Sequence, residues 1–125
     1  MRYLFDTNIL IYYFNGEMEN FVADKVSELM KESFELSVIS KMEFLGFTFN
    51  EQQKQQAIDF ISYAEIKMLT DNIVQRVINI RQEKKIKLPD AIIAATAMEY
   101  SAVLVTRNSK DFTLLALETL NPFDD

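Results

Sequence analysis

Neither cysteine nor histidine occurs among the 125 residues. The first absence excludes disulfides, thiolate metal sites and cysteine nucleophiles. The second removes the commonest general base and the commonest metal ligand. Chemistry is left to carboxylates, hydroxyls, amides, Lys, Arg and Tyr. Any metal held by such groups has oxygen ligands, which favours a hard cation such as Mg²⁺ or Mn²⁺ over zinc or copper. Glycine and proline number only two each, so breaks must be read from the hydrophobic pattern. No apolar run approaches the roughly 18 residues that span a bilayer. The opening Met-Arg-Tyr-Leu-Phe-Asp also lacks the apolar core of a signal peptide. A cytoplasmic protein without membrane contact is expected.

What is present suits one domain, expected over residues 1–125. Hydrophobic residues make up 49% of the chain, enough for a core without covalent staples. The net charge of −6 counts modestly against a nucleic-acid ligand. It is a weak guide where a few acids gather in a cleft ringed by bases.

Arg2 to Phe5 reads as a buried strand ending at Asp6, with Asp6, Thr7 and Asn8 as cap-type residues before a short helix over Ile9–Phe14. Val22, Val26, Leu29 and Met30 share a helical face. Phe34–Ile39 reads as a second strand, and Ser40 opens a helix to about Phe47. Ala57, Ile58, Phe60, Ile61 and Ala64 mark a further helix, and Ile66–Leu69 a short third strand. Thr70 and Asp71 cap a helix carrying Ile73, Val74, Val77 and Ile78. Pro89 suits the first position of the next helix, which runs to about Tyr100. Ala102–Val105 is a fourth strand and Leu115–Glu118 a fifth. Alternating strands and helices predict an α/β fold, a parallel sheet with helices on both faces. Ligands of such sheets bind beyond the carboxyl ends of the strands, near a switch in strand order.

Four acids fall at places that could reach that edge: Asp6, Glu43, Asp90 and Asp111. Each alone has a plain explanation. Asp6 can cap the first helix. Ser40 and Glu43 have the spacing of a capping box, as do Ser62/Glu65 and Thr96/Glu99. Asp90 complements a helix dipole, and Asp111 can be a loop residue. Together they are harder to dismiss. Two carboxylates about 4 Å apart repel by about 4 kcal/mol at an effective dielectric near 20. A divalent cation offsets that repulsion and supports phosphodiester hydrolysis without histidine. Thr7, Asn8, Thr106 and Asn108 lie beside the acids and could orient ligands or water; they equally suit turns and caps.

The strings FDTNILIYY from Phe5, LPDAIIAATA from Leu88 and LVTRNSKDF from Leu104 resemble the PIN-domain nucleases, most closely the VapC-type toxins of bacterial toxin–antitoxin pairs. SVISKMEFLGF and the terminal NPF follow in register, while Thr48–Met68 matches in pattern only. The resemblance implies a single PIN-like domain with a five-stranded parallel sheet and Mg²⁺- or Mn²⁺-dependent cleavage of RNA. It assigns metal binding to Asp6 and Asp90, with Glu43 and Asp111 completing the constellation. It also implies a homodimer silenced by a small antitoxin.

Arg81, Lys84, Lys85 and Lys87 precede Asp90, and Arg107 and Lys110 flank Asp111. Phosphate binding is expected of Arg107, Lys110, Arg81 and Lys87; a solvated helix end explains Lys84. Phe44, Leu45, Phe47 and Phe49 suit a core, though one helix cannot point all of them inward, which leaves some for a partner groove. The segment Ala91–Met98 is apolar all round, as for a helix buried between the sheet and a second helix or subunit. The rival functions are less well served. A phosphorylated receiver domain needs an acidic pair where Asp6 stands alone, and a haloacid-dehalogenase-like phosphatase needs an acid where Asn8 stands. In a non-catalytic interaction domain the acids would be caps.

Overall fold

Side chains of a strand alternate between faces, and the two central strands of this fold use both faces for core. The computed structural model describes residues 1–124. In chain order the elements are β1 (Tyr3–Phe5), α1 (Thr7–Phe14), α2 (Asn20–Glu32), β2 (Glu35–Ser37), α3 (Val38–Leu45), α4 (Glu51–Ile61), β3 (Glu65–Lys67), α5 (Asp71–Glu83), α6 (Leu88–Glu99), β4 (Val103–Val105), a 3₁₀ turn at Ser109–Phe112 and β5 (Thr119–Leu120). The strands form the expected five-stranded parallel sheet, in the order β3-β2-β1-β4-β5. Tyr3, Phe5, Val103 and Val105 pack against Ile9, Leu10, Val22, Val26, Phe44, Ala57 and Ile61 of α1 to α4. Leu4 and Leu104 point the other way, onto Ile93, Ala94 and Ala97 of α6.

The far side of α6 meets α5, where Ala91, Ile92 and Ala95 pack on Ile73, Val77 and Ile80. Both sides of α6 are therefore covered within the chain, which explains its all-round apolar sequence without a second subunit. Among the described residues, no helix is long and apolar enough to cross a membrane.

Several boundaries depart from the sequence expectation: α1 starts at Thr7 rather than Ile9, and the third strand is Glu65–Lys67 rather than Ile66–Leu69. The second strand stops at Ser37 rather than Ile39, because the Ser37 hydroxyl accepts from the Ile39 amide at 3.2 Å and starts α3 at Val38. The fifth strand is Thr119–Leu120 rather than Leu115–Glu118. Leu115 and Leu117 are spent instead on packing against the α6 side of the core.

Glu35 is a buried acid on β2. Arg2 grips it with two bonds, at 2.7 and 3.1 Å; Ser33 donates at 2.9 Å, and Lys67 on β3 lies 3.6 Å away. Burial alone would raise its carboxyl, but these partners outweigh burial and hold it below the ordinary value. Its contribution to stability is thus complete above the unfolded carboxylate pKa, about 4.3. It is lost as pH falls through the depressed folded value. Arg2→Ala leaves that charge short of its main partner and is expected to cost about 2 kcal/mol. Urea unfolding at several pH values checks this: the variant should lose its acid-side stability at higher pH than the parent.

Candidate active site

The order β3-β2-β1-β4-β5 switches direction between β1 and β4, so the loops that follow these two strands diverge and leave a crevice. Asp6 directly follows β1 and Thr106 directly follows β4. The Thr106 hydroxyl donates to Asp6 Oδ2 at 2.8 Å across that crevice and accepts from the Asn108 amide at 3.1 Å. Asp6 occupies the N-cap position of α1, yet its side chain makes no capping bond. It is aimed elsewhere.

A cleft of about 290 Å³ opens there, lined by Asp6, Asn8, Glu43, Lys87, Pro89, Asp90, Asn108, Asp111 and Phe112. All four acids thus reach one cavity from four separate elements. Asp90 arrives because α6 runs antiparallel to β4, so its first turn stands at the carboxyl edge of the sheet. The turn that reverses the chain contains Ser101 at φ 51°. Asp111 comes from the exposed 3₁₀ turn after β4.

Glu43 is held by a bond no local spacing announced. The Thr7 hydroxyl, beside Asp6, lies 2.7 Å from Glu43 Oε1 and 3.0 Å from Ser40 Oγ. A hydroxyl has one proton; Thr7 gives it to the carboxylate and accepts from Ser40. The capping-box reading of Ser40 and Glu43 falls away, since Ser37 caps α3 and Ser40 is buried within it. Ser40 is the site residue that sequence reasoning missed. Its signal was the three-residue separation from Glu43, which places both on one helical face.

Burial pushes the Asp6 carboxyl above its ordinary value; Asp90 and Glu43 add to the push, while the Thr106 bond and the Thr7 amide oppose it. The Asp90 carboxyl is raised too, by burial first, then by the charges of Asp111 and Glu43, with Lys87 opposing. This is the electrostatics of a site whose four acids outnumber its one lysine. Thr106→Val keeps the shape but leaves a buried carboxylate oxygen without its donor. It is expected to cost about 1–3 kcal/mol, with Thr106→Ser recovering most of the loss in thermal unfolding.

The bases are divided. Lys87 lines the acidic cleft. Lys110 sits beside Asp111 in a small adjoining pocket. Arg107 is exposed immediately before Asn108. Arg81 is not brought to the cleft: its Nε donates to the Ile86 carbonyl at 3.3 Å. It lines instead an apolar groove of about 750 Å³, with Val74, Ile78, Leu88 and Ile92. Of the aromatic run on and after α3, Phe44 and Phe49 are buried and Phe47 is 42% exposed, so core packing accounts for most of it.

The donors are all oxygen, as a hard divalent cation requires. Among the described residues no three acidic side chains close on a single point. An ion such as Mg²⁺, which keeps several waters and takes one or two carboxylates directly, does not require such a cage.

The sequence model of the PIN domain matches residues 3–116. A toxin–antitoxin complex from Klebsiella pneumoniae contains a chain 34% identical, with a TM-score of 0.79 and 98% of each chain covered. The crystal structure of VapBC2 from Rickettsia felis, bound to a DNA fragment from its promoter, offers a chain 26% identical, with a TM-score of 0.81, covering 97% of this chain and 98% of that one. VapBC-1 from nontypeable Haemophilus influenzae shares the fold at 24% identity and a TM-score of 0.79, over 99% of this chain and 100% of that one. A sequence search of curated proteins returns no match.

Proposed function

The chain belongs to the PIN-domain family, and from that premise we propose that it is a metal-dependent endoribonuclease, the toxin of a toxin–antitoxin pair. The observation that carries this reading is the convergence of Asp6, Glu43, Asp90 and Asp111 on one cleft at the strand-order switch. Asp6 and Asp90 would hold Mg²⁺ or Mn²⁺ directly, with Asp111 and Glu43 as the rest of the acidic constellation around it. When bound, such a cation offsets the phosphodiester charge and activates water for hydrolysis.

The chain's own groups do the positioning. Thr106 fixes one oxygen of Asp6 and leaves the other for the cleft. Thr7, braced by Ser40, fixes Glu43. Asn8 and Asn108 line the cleft with amides able to orient water or a sugar hydroxyl. Lys87 at the cleft and Lys110 beside Asp111 supply positive charge for phosphates. A nucleophilic side chain is unnecessary, which fits a chain without cysteine or histidine.

The relatives solved as toxin–antitoxin complexes support a small antitoxin as partner, and the same reading includes a homodimer. The test is expression without any antitoxin. Wild type should arrest growth and, when purified, cut RNA in Mg²⁺ or Mn²⁺ but not after chelation. Asp6→Asn should do neither. Equal toxicity of the two proteins would sink the acidic-cleft mechanism.

A further inference from the structure

Arg107 stands beside the cleft on an aromatic support. Its guanidinium carbon lies 4.4 Å from the centre of the Phe123 ring and 5.5 Å from that of Tyr12. The two rings meet edge to face, 6.2 Å apart at 81°. The support is tied to its own backbone: Asn121 Nδ2 donates to the Arg107 carbonyl at 3.2 Å, and the Phe123 amide donates to Asn121 Oδ1 at 2.9 Å. Among the described residues Arg107 forms no ion pair. It is exposed, whereas Tyr12 and Phe123 are half-buried. Among the described residues the charge thus rests on two ring faces and meets no carboxylate.

Position links this platform to the acids. Asn108, the next residue after Arg107, lines the acidic cleft, and so does Asn8, one helical turn before Tyr12 on α1. A polynucleotide with a phosphate in the cleft would run past one or the other. A planar cation over aromatic rings suits a nucleobase, whose faces stack on guanidinium and aromatic planes alike. A base is free to stack in this way only where the strand is unpaired.

Building on the ribonuclease reading, we propose that Arg107, Tyr12 and Phe123 form a base-stacking subsite for a nucleotide flanking the scissile phosphate. A plain role for the trio, fastening the C-terminal segment to α1, would leave substrate affinity untouched by a conservative change at Arg107. Arg107→Lys keeps the charge and loses the plane, so it separates the two roles. Phe123→Leu removes the support.

The experiment measures cleavage of a short unpaired RNA and of the same sequence in a duplex. It also follows the emission of a fluorescent adenine analogue beside the cut site; the chain has no tryptophan to interfere. Wild type should prefer the unpaired strand and quench the analogue. Arg107→Lys should melt like wild type, raise KM about tenfold, within the range of one lost stacking contact, change kcat by less than about twofold, and fail to quench. Phe123→Leu should shift KM the same way. Unchanged KM and quenching in Arg107→Lys overturn the subsite, as does a loss of antitoxin binding with RNA kinetics intact. Quenching by a wild type that does not cut supports the subsite and removes the catalytic reading, so the two failures are told apart.

Discussion

Asp90→Asn is expected to abolish RNA cleavage while making the metal-free protein more stable. Groups that merely orient a metal ligand typically contribute 10–100-fold to affinity or activity, so loss of a directly bound carboxylate should exceed roughly 100-fold. The stability change has the opposite sign. Asp90 is disfavoured as an anion by burial and by the charges of Asp111 and Glu43. A neutral amide of the same shape ends that conflict, and melting should rise by a few degrees, as for other relieved functional sites. A capping role makes the contrary prediction: loss of a dipole-complementing charge from the first turn of α6 would cost about 0.3–1 kcal/mol.

The pH dependence separates the two readings further. A carboxyl raised in the folded state favours folding while protonated, and that advantage fades as pH rises from the unfolded value, about 3.9, through the folded one. The stability gap between Asp90→Asn and wild type should therefore widen with pH. Mg²⁺ added at neutral pH should close it by raising only the wild-type melting temperature. Calorimetric melts from pH 4 to 8, with and without Mg²⁺, check all three statements. A variant that melts lower than wild type throughout returns Asp90 to the role of a helix-start residue.

Phe44→Ala is the substitution with the largest expected structural cost. Phe44 is fully buried. Its ring lies 5.4 Å from Phe14, 5.6 Å from Phe49 and 5.8 Å from Phe60, joining α1, α4 and the segment between α3 and α4. Truncating such a ring leaves a cavity and costs about 3–5 kcal/mol, a large share of the 5–15 kcal/mol typical of a domain. The neighbouring residue is Glu43, so a shift of α3 also moves a carboxylate, and cleavage should fall with stability. Phe47→Ala, from a ring 42% exposed, should cost less than about 1 kcal/mol. Urea midpoints give the comparison directly. Similar losses for the two would mean that the aromatic cluster does not organise this side of the core.

The central sheet and the helices around it were legible because their signals are periodic or continuous. Within the expected strands, Tyr3–Phe5 and Val103–Val105 carry no charge, as suits strands covered on both faces, and they became β1 and β4. Thr70 was readable as a cap and accepts from the Ile73 amide at 3.2 Å. Capping spacing was otherwise a poor guide. The pair that forms a full capping box is Asn50 with Gln53, which was not singled out. Of the decoys, Thr96 bonds back to the Ile92 carbonyl inside α6, and Ser62 closes the end of α4 through the Asp59 carbonyl. Spacing alone does not say whether a hydroxyl stands at a helix start or inside one; the backbone around it decides.

For the candidate site, Asp6, Asp90 and Asp111 could be named from their places after strands and at a helix start. Glu43 was named from its place after the second strand and from the family resemblance, and it stands in the second half of α3. What holds these acids could not be named. Thr7 with Glu43 and Thr106 with Asp6 are pairs 36 and 100 positions apart, and only the packing of α3 against α1 and of β4 beside β1 brings them together. Arg81 shows the converse. Its neighbours in sequence pointed to the site, yet it stands in the last turn of α5 and lines the apolar groove.

The 100-position span between Thr106 and Asp6 has a consequence for the newborn chain. The ribosome adds roughly 5–20 residues per second, so β1, α1 and α3 emerge seconds before Asp90, β4 and Asp111. Through that interval Asp6 has neither the strand that pairs with β1 nor the hydroxyl that orients it, and two of the four carboxylates do not yet exist. On the proposed reading, cleavage would begin only after the C-terminal strands have cleared the exit tunnel, once all four carboxylates can meet.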